Sequence, residues 1–187
     1  MTMLDKKKRY VTRARHEAYI KEIDFMEGPG QRLIAELLAS SPGSGMGRPN
    51  DLPAHQLAGE FLGALAGIKG IIGSSAIIDD IREFEEDPVR VTLGCTVAIT
   101  YDGDDEPAEY TILGVDEVDM EHGRISCWSP IGAALMNRRT GETCAFRPSQ
   151  NGRETHITIR DVRRLPLDFQ YPIAWQAKLE GALAWMR

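Results

Sequence analysis

The stretch GVDEVDMEHGRISCWSPIGAAL, Gly114–Leu135, collects side chains that could do chemistry: the carboxylates Asp116, Glu117 and Asp119, then His122, Cys127 and Ser129. Such groups act in catalysis when a nucleophile finds a base, or when metal ligands recur at fixed spacing. Neither arrangement is present. His16, His55, His122 and His156 are scattered, and no GxSxG or metal-spaced histidine pair occurs. Cys95, Cys127 and Cys144 are odd in number, without CxxC spacing, and read as buried reduced thiols rather than a disulfide framework or a zinc site. No catalytic constellation, metal site or cofactor is expected. On the residues alone, Asp119 is a turn carboxylate, and Ser129 with Pro130 is a helix start: the serine oxygen accepts an orphan amide and proline lacks one.

The elements around this stretch follow from periodicity. Thr12 to Met26 reads as a helix with Thr12 as N-cap and Tyr19, Ile20, Ile23 and Met26 on one stripe. Gly28-Pro29-Gly30 should kink or break it, because proline removes a helical donor. The pattern resumes with Leu33, Ile34, Leu37 and Leu38 and stops at the Gly/Pro/Ser-rich loop Ser40 to Asn50. A second helix runs from about Leu52 to Ile72, with Leu57, Phe61, Leu65, Ile68 and Ile72 forming one seam of an antiparallel pair. Its five glycines, Gly59, Gly63, Gly67, Gly70 and Gly73, each cost about 1 kcal/mol against alanine, so packing must hold it. Beyond Asp79 the pattern alternates. Strands are expected at Cys95–Tyr101, Tyr110–Val115, Arg124–Cys127, Thr143–Phe146 and Thr155–Ile159, with one short helix at Pro130–Met136, as a twisted antiparallel sheet carrying a helix. A last helix, Tyr171 to Arg187, could dock on either domain.

The fold class is therefore α+β, divided as a helical hairpin (1–79), an acidic linker (80–90), a β-rich domain (91–165) and a C-terminal helical extension (166–187). The net charge of -6 is unevenly spread. Lys6, Lys7, Lys8, Arg9, Arg13 and Arg15 crowd the start, whereas DDIREFEED (Asp79–Asp87) and DGDDEPAE (Asp102–Glu109) are acidic. No basic stripe marks the folded part as a nucleic-acid surface. No apolar run reaches the roughly 18 residues of a membrane span, and the basic start lacks a signal-peptide core, so a cytoplasmic protein without a membrane partner is expected.

The order of two helices, acidic linker and β-rich domain resembles the bacterial Gre transcript-cleavage factors, GreA and GreB. In the second domain the likeness is carried by Leu93-Gly94-Cys95, Tyr110-Thr111-Ile112-Leu113-Gly114, Glu117-Val118-Asp119, Gly123 to Ser126, Ser129-Pro130-Ile131, Ala134-Leu135 and Gly141-Glu142, in order and spacing. In the first, YVTRARHEAYIKEI and SSAIIDD are similar to that family's flanks. The resemblance implies a coiled-coil hairpin and an FKBP-like C-terminal domain. It further implies binding of RNA polymerase, with the coiled coil directed into the secondary channel. It assigns polymerase contact to Asp119, Ser129 and Pro130, with Trp128 as a departure that could add an apolar anchor or simply be packed.

Cleavage-stimulating members carry a DxxEN-like motif at the coiled-coil tip, whose carboxylates help hold a catalytic magnesium in the polymerase. Here Gly43, Ser44, Gly45, Met46, Gly47 and Arg48 stand there, with no carboxylate. Asp51 imitates the start of the motif, but Ala54 and His55 replace the glutamate and asparagine, and Asp51 reads as a helix cap. Lys69 is the only basic residue of the second helix, so contact with nascent RNA lacks the charge it depends on. The expectation is a polymerase-binding factor deficient in cleavage stimulation. Alternatives are a cleavage-competent factor using displaced carboxylates such as Asp51, and an FKBP-like module that self-associates through its Gly-rich helices or binds a partner other than polymerase. Peptidyl-prolyl isomerase activity would rest on fold alone.

Overall fold

A computed structural model describes residues 4–5, 8–40, 52–79, 90–104, 106–149, 151–164 and 166–186. These fall into two compact units, each discontinuous in sequence: Met1–Arg15 with Ser75–Phe169, and His16–Ser74 with Gln170–Arg187. The linear division made above puts residues 1–79 in one domain, whereas the described residues up to Arg15 belong to the β-rich unit. The reason is a strand that periodicity did not reveal. Arg9–Val11 (β1) pairs in parallel with Ser75–Ile77 (β2), joining Tyr10 to Ala76 across the register.

The main sheet of this unit contains Thr96–Tyr101 (β3), Ala108–Leu113 (β4), Arg124–Ser126 (β5), Thr143–Phe146 (β6) and Thr155–Arg163 (β7), in the order β5-β4-β3-β7-β6. Central β3 is buried on both faces, which its TVAITY sequence can sustain. Its polar members find partners within the sheet: Thr96 and Thr111 hydroxyls lie 3.0 Å apart. Ile99, Ile112, Ile125, Ile157 and Ile159 form the core, and Leu135 of the short helix Pro130–Leu135 (α4) closes it. The all-antiparallel expectation is corrected at one edge: β4 and β5 are parallel, with Ile112 opposite Ile125. The Gly114–Gly123 connection makes two 3₁₀ turns, Val115–Glu117 and Met120–His122, and returns the chain so that β5 enters in the same direction as β4. Cys95, Cys127 and Cys144 are free and buried, and burial pushes the Cys127 thiol up to about 11, which keeps it a thiol.

The helical unit is built from Arg13–Phe25 (α1, shared at its start with the β-rich unit), Gln31–Ser40 (α2), Leu52–Ser74 (α3) and Ala174–Met186 (α5). Gly28-Pro29-Gly30 does not break the first element. The turn widens to a π-helix over Met26–Gly30, with α-helical dihedrals at Phe25 and Gln31 on either side, and so absorbs the donor that Pro29 lacks. A Cβ on Gly30 would stand 2.9 Å from Phe61 Cζ and 3.0 Å from the Phe25 carbonyl, so only glycine lets the Phe61 ring seat there. Contacts run in opposite senses along α1–α2 and α3: Glu27 pairs with Lys69, Gly30 faces Phe61, and Leu37 packs with Ala54. The hairpin is antiparallel, as its seam of Leu57, Phe61, Leu65 and Ile68 requires.

Helix α5 lies against this pair. Leu179 joins Met26 and Phe61, Leu183 joins Leu37 and Ala54, and the Trp175 ring meets Phe61 edge-on at 5.4 Å. The stripe expected on α1 is corrected here: Ile20 is 42% exposed, and Glu22, 6% exposed, takes the inward place beside Tyr19 and Met26. Glu22 Oε1 accepts the Trp175 N–H at 3.0 Å. That amide is one of the orphan donors in the first turn of α5, and a carboxylate suits the positive end of a helix. Glu22→Ala should therefore destabilise the protein by about 1 to 3 kcal/mol in urea denaturation, with Glu22→Gln, which keeps an acceptor oxygen, costing less.

Candidate functional site

The site grows from the connection between β4 and β5. Asp119 caps the Met120–His122 turn: its Oδ1 accepts the His122 N–H at 3.3 Å, and its Oδ2 lies 2.8 Å from His122 Nδ1. Arg124 Nη2 stands 3.8 Å from the same oxygen, an ion-pair distance rather than a hydrogen bond. The backbones of Asp119 and Arg124 also bond each other, N–H to carbonyl, at 3.0 and 2.7 Å. Gly123 closes this tight hairpin in the left-handed region at φ 65°, and a Cβ there would meet the Glu109 carbonyl at 2.6 Å. Desolvation raises the Asp119 carboxyl, but the His122 side chain and amide and the Arg124 charge outweigh it and leave it below its ordinary 3.8.

At the other end of β5, Ser129 caps α4. Its Oγ accepts from Gly132 N at 3.1 Å and donates to the Ser126 carbonyl at 2.7 Å, with Pro130 at the first helical position. Trp128 donates its backbone N–H to Ser126 Oγ at 3.1 Å, and its half-buried ring packs on the β-rich core. Asp119 thus abuts the first residue of an edge strand, and Trp128, Ser129 and Pro130 follow its last, with about 7 Å of strand between Arg124 and Ser126. Around Asp119, the same connection exposes Val115 (48%), Val118 (47%) and Met120 (67%).

Two partners of this connection were not legible beforehand. Glu117 is 3% exposed, and its carboxylate accepts the Thr12 N–H at 2.7 Å and the Thr12 hydroxyl at 2.5 Å, while Arg9 pairs with Asp116 at 2.5 Å. Thr12 also caps α1 as expected, accepting from Arg15 N at 3.1 Å. The tip residues Gly43, Ser44, Gly45, Met46, Gly47, Arg48 and Asp51 lie outside the described residues. Among the described residues, no group of three or more His, Cys, Asp or Glu is placed to hold a metal ion.

The family model for the C-terminal part of the transcription elongation factors GreA and GreB matches residues 86–164, which contain Asp119, Trp128, Ser129 and Pro130. Transcription elongation factor GreA of Roseiflexus sp. (strain RS-1) is 31% identical over 134 residues, covering 70% of this chain and 82% of that protein. The chain belongs to the GreA/GreB family of transcription elongation factors. GreA of Roseiflexus castenholzii is 29% identical, covering 81% of this chain and 96% of its own. The crystal structure of GreA factor homolog 1 of Thermus thermophilus aligns over 83% of this chain at 17% identity with a TM-score of 0.35. Factors of this family are accessory to transcription rather than enzymes themselves. Helix α5 and the segment leading to it lie beyond the matched region.

Two outcomes test the site's geometry. Thr12→Val should cost about 2 to 3 kcal/mol in urea denaturation, since it strips a donor from a buried carboxylate. For Asp119, the lowered folded value means that its contribution to stability is present above the ordinary value near 3.8 and is lost as pH falls through the folded one. Asp119→Asn should therefore be less stable than the native protein near neutrality, and the two should converge below the folded value in acid titrations followed by circular dichroism.

Proposed function

We propose that this Gre-family factor binds RNA polymerase through the face around edge strand β5, with Asp119, Trp128, Ser129 and Pro130 as contact residues. The helical unit serves as the arm directed into the secondary channel, and the protein works in the cytoplasm. The arm does not stimulate transcript cleavage. The observation that carries this is the sequence GSGMGR, Gly43–Arg48, which offers no carboxylate where the acidic tip motif of active relatives stands.

Charge on α3 supports the same reading. Lys69, the only basic residue of α3, is paired with Glu27, so little positive charge is left there to meet RNA. Pro53–Ser74 is long and apolar enough to cross a membrane by length and composition alone. Its ion pairs, Lys69 with Glu27 and Glu60 with Lys178, fit a helix of the arm.

Purified protein should leave transcripts uncleaved in backtracked elongation complexes with magnesium near neutral pH, and should displace a cleavage-competent Gre factor from polymerase core. Asp119→Ala should weaken core binding by about tenfold without unfolding the domain. Cleavage that vanished in Asp51→Ala would instead favour the displaced-carboxylate alternative. No binding to core at micromolar concentration would favour a partner other than polymerase.

A further inference from the structure

Phe169 lies outside the region matched by the family model, in the segment between β7 and α5. It packs on the core of the β-rich unit near Leu167, which is 6% exposed. Its ring faces Arg124, with the guanidinium carbon 4.1 Å from the ring centroid. The Arg124 side chain is 17% exposed and stands beside Asp119. The guanidinium therefore meets both an aromatic ring and a carboxylate. A flat, weakly hydrated guanidinium gives up a face to an aromatic ring at little cost while keeping its full charge, which a lysine ammonium does less well.

Three of the four acids of this connection are also partnered. Asp116 is paired with Arg9, Glu117 is buried on Thr12, and Asp119 is met by His122 and Arg124. Glu121 is the exposed acid of the turn, and Val115, Val118 and Met120 are its exposed apolar side chains. A partner surface meeting this turn finds, besides Glu121, apolar side chains around a carboxylate that is already balanced.

Resting on the polymerase-binding reading above, we propose that Arg124 and Phe169 are positioning residues for the Asp119 contact. They hold the carboxylate on its own turn in a charge-balanced state. The partner surface it meets is then apolar with neutral hydrogen-bond donors, not a cluster of lysines and arginines. Phe169 makes the first residues of the C-terminal extension part of the grip.

The test uses the full chain and purified polymerase core, with affinities measured for the native protein, Phe169→Tyr, Phe169→Leu, Asp119→Ala, Asp119→Asn and the double variant Asp119→Ala/Phe169→Leu. Phe169→Tyr, which keeps the ring face, should bind as the native protein does. Phe169→Leu, which keeps apolar bulk and loses the ring, should bind about threefold to fivefold more weakly. In the Asp119→Ala background the same change should have no further effect. The Arg124 side-chain NMR signals should show an aromatic ring-current shift that persists in Phe169→Tyr and disappears in Phe169→Leu. Native protein and Asp119→Asn should lose affinity with salt at equal slopes.

Equal losses from Phe169→Leu in both backgrounds, or a steeper salt slope for the native protein than for Asp119→Asn, would overturn this inference alone. An Asp119→Ala affinity equal to native would overturn the grip reading and this inference with it.

Discussion

A carboxylate buried to 3% exposure must be met by donors, and Glu117 is met by both the amide and the hydroxyl of Thr12. Much of the β-rich unit's edge depends on that pairing. It fixes the Val115–Glu117 turn, from which the chain runs to Asp119 and back into β5, and it fixes the end of β1, the strand that brings the N-terminus into this unit. Thr12 uses the same hydroxyl oxygen as acceptor for Arg15 N, so one side chain satisfies a buried acid and starts a helix. Arg13 N, bonded to Asp79 Oδ2 at 2.6 Å, adds a second carboxylate at that helix start.

What the sequence made legible was whatever repeats along the chain. The α3 seam has a helical period and an opposing partner, and the strands from β3 to β7 alternate or run apolar between turn residues. Asp119 was readable as a turn carboxylate and Ser129 as a cap because such roles depend on only three or four residues, and in the structure each caps a short helical turn or helix. What escaped depends on distant partners. Three-residue β1 and β2 lie far apart in sequence, and their pairing leaves no local period. Glu22 stood outside the apolar stripe read on α1, because the amide that draws it inward belongs to the distant Trp175. Ile20 looked buried for the complementary reason.

The parallel entry of β5 shows the same limit. Alternation predicts a strand and says nothing of its direction, which is decided by the Gly114–Gly123 connection and by hydrogen bonds that need three-dimensional coordinates. Hence the residues expected at the polymerase surface were found by likeness to a family, and their local duties by capping rules. The contacts around those residues, that of Arg124 with Phe169 above all, were legible by neither route. Phe169 is beyond the matched region, and nothing in the spacing of Arg124 links it to a ring so much later in the chain.

The helical unit carries the remaining step of synthesis. Five glycines make α3 a poor helix by propensity, and a two-helix hairpin would cover only one side of it. Here α5 adds Leu179 and Leu183 to the two apolar clusters, sets Trp175 against Phe61, and pairs Lys178 with Glu60. The seat for Phe61 exists because Gly30 lacks a side chain, and Gly30 ends the widened turn that Pro29 imposes. A departure in α1–α2, an aromatic in α3 and an added C-terminal helix are therefore mutually dependent: a side chain at position 30 would displace Phe61, and loss of Phe61 would remove the contact of Trp175. A helix weak in propensity is held by packing that includes α5, so the C-terminal extension belongs to the arm's stability as the hairpin does.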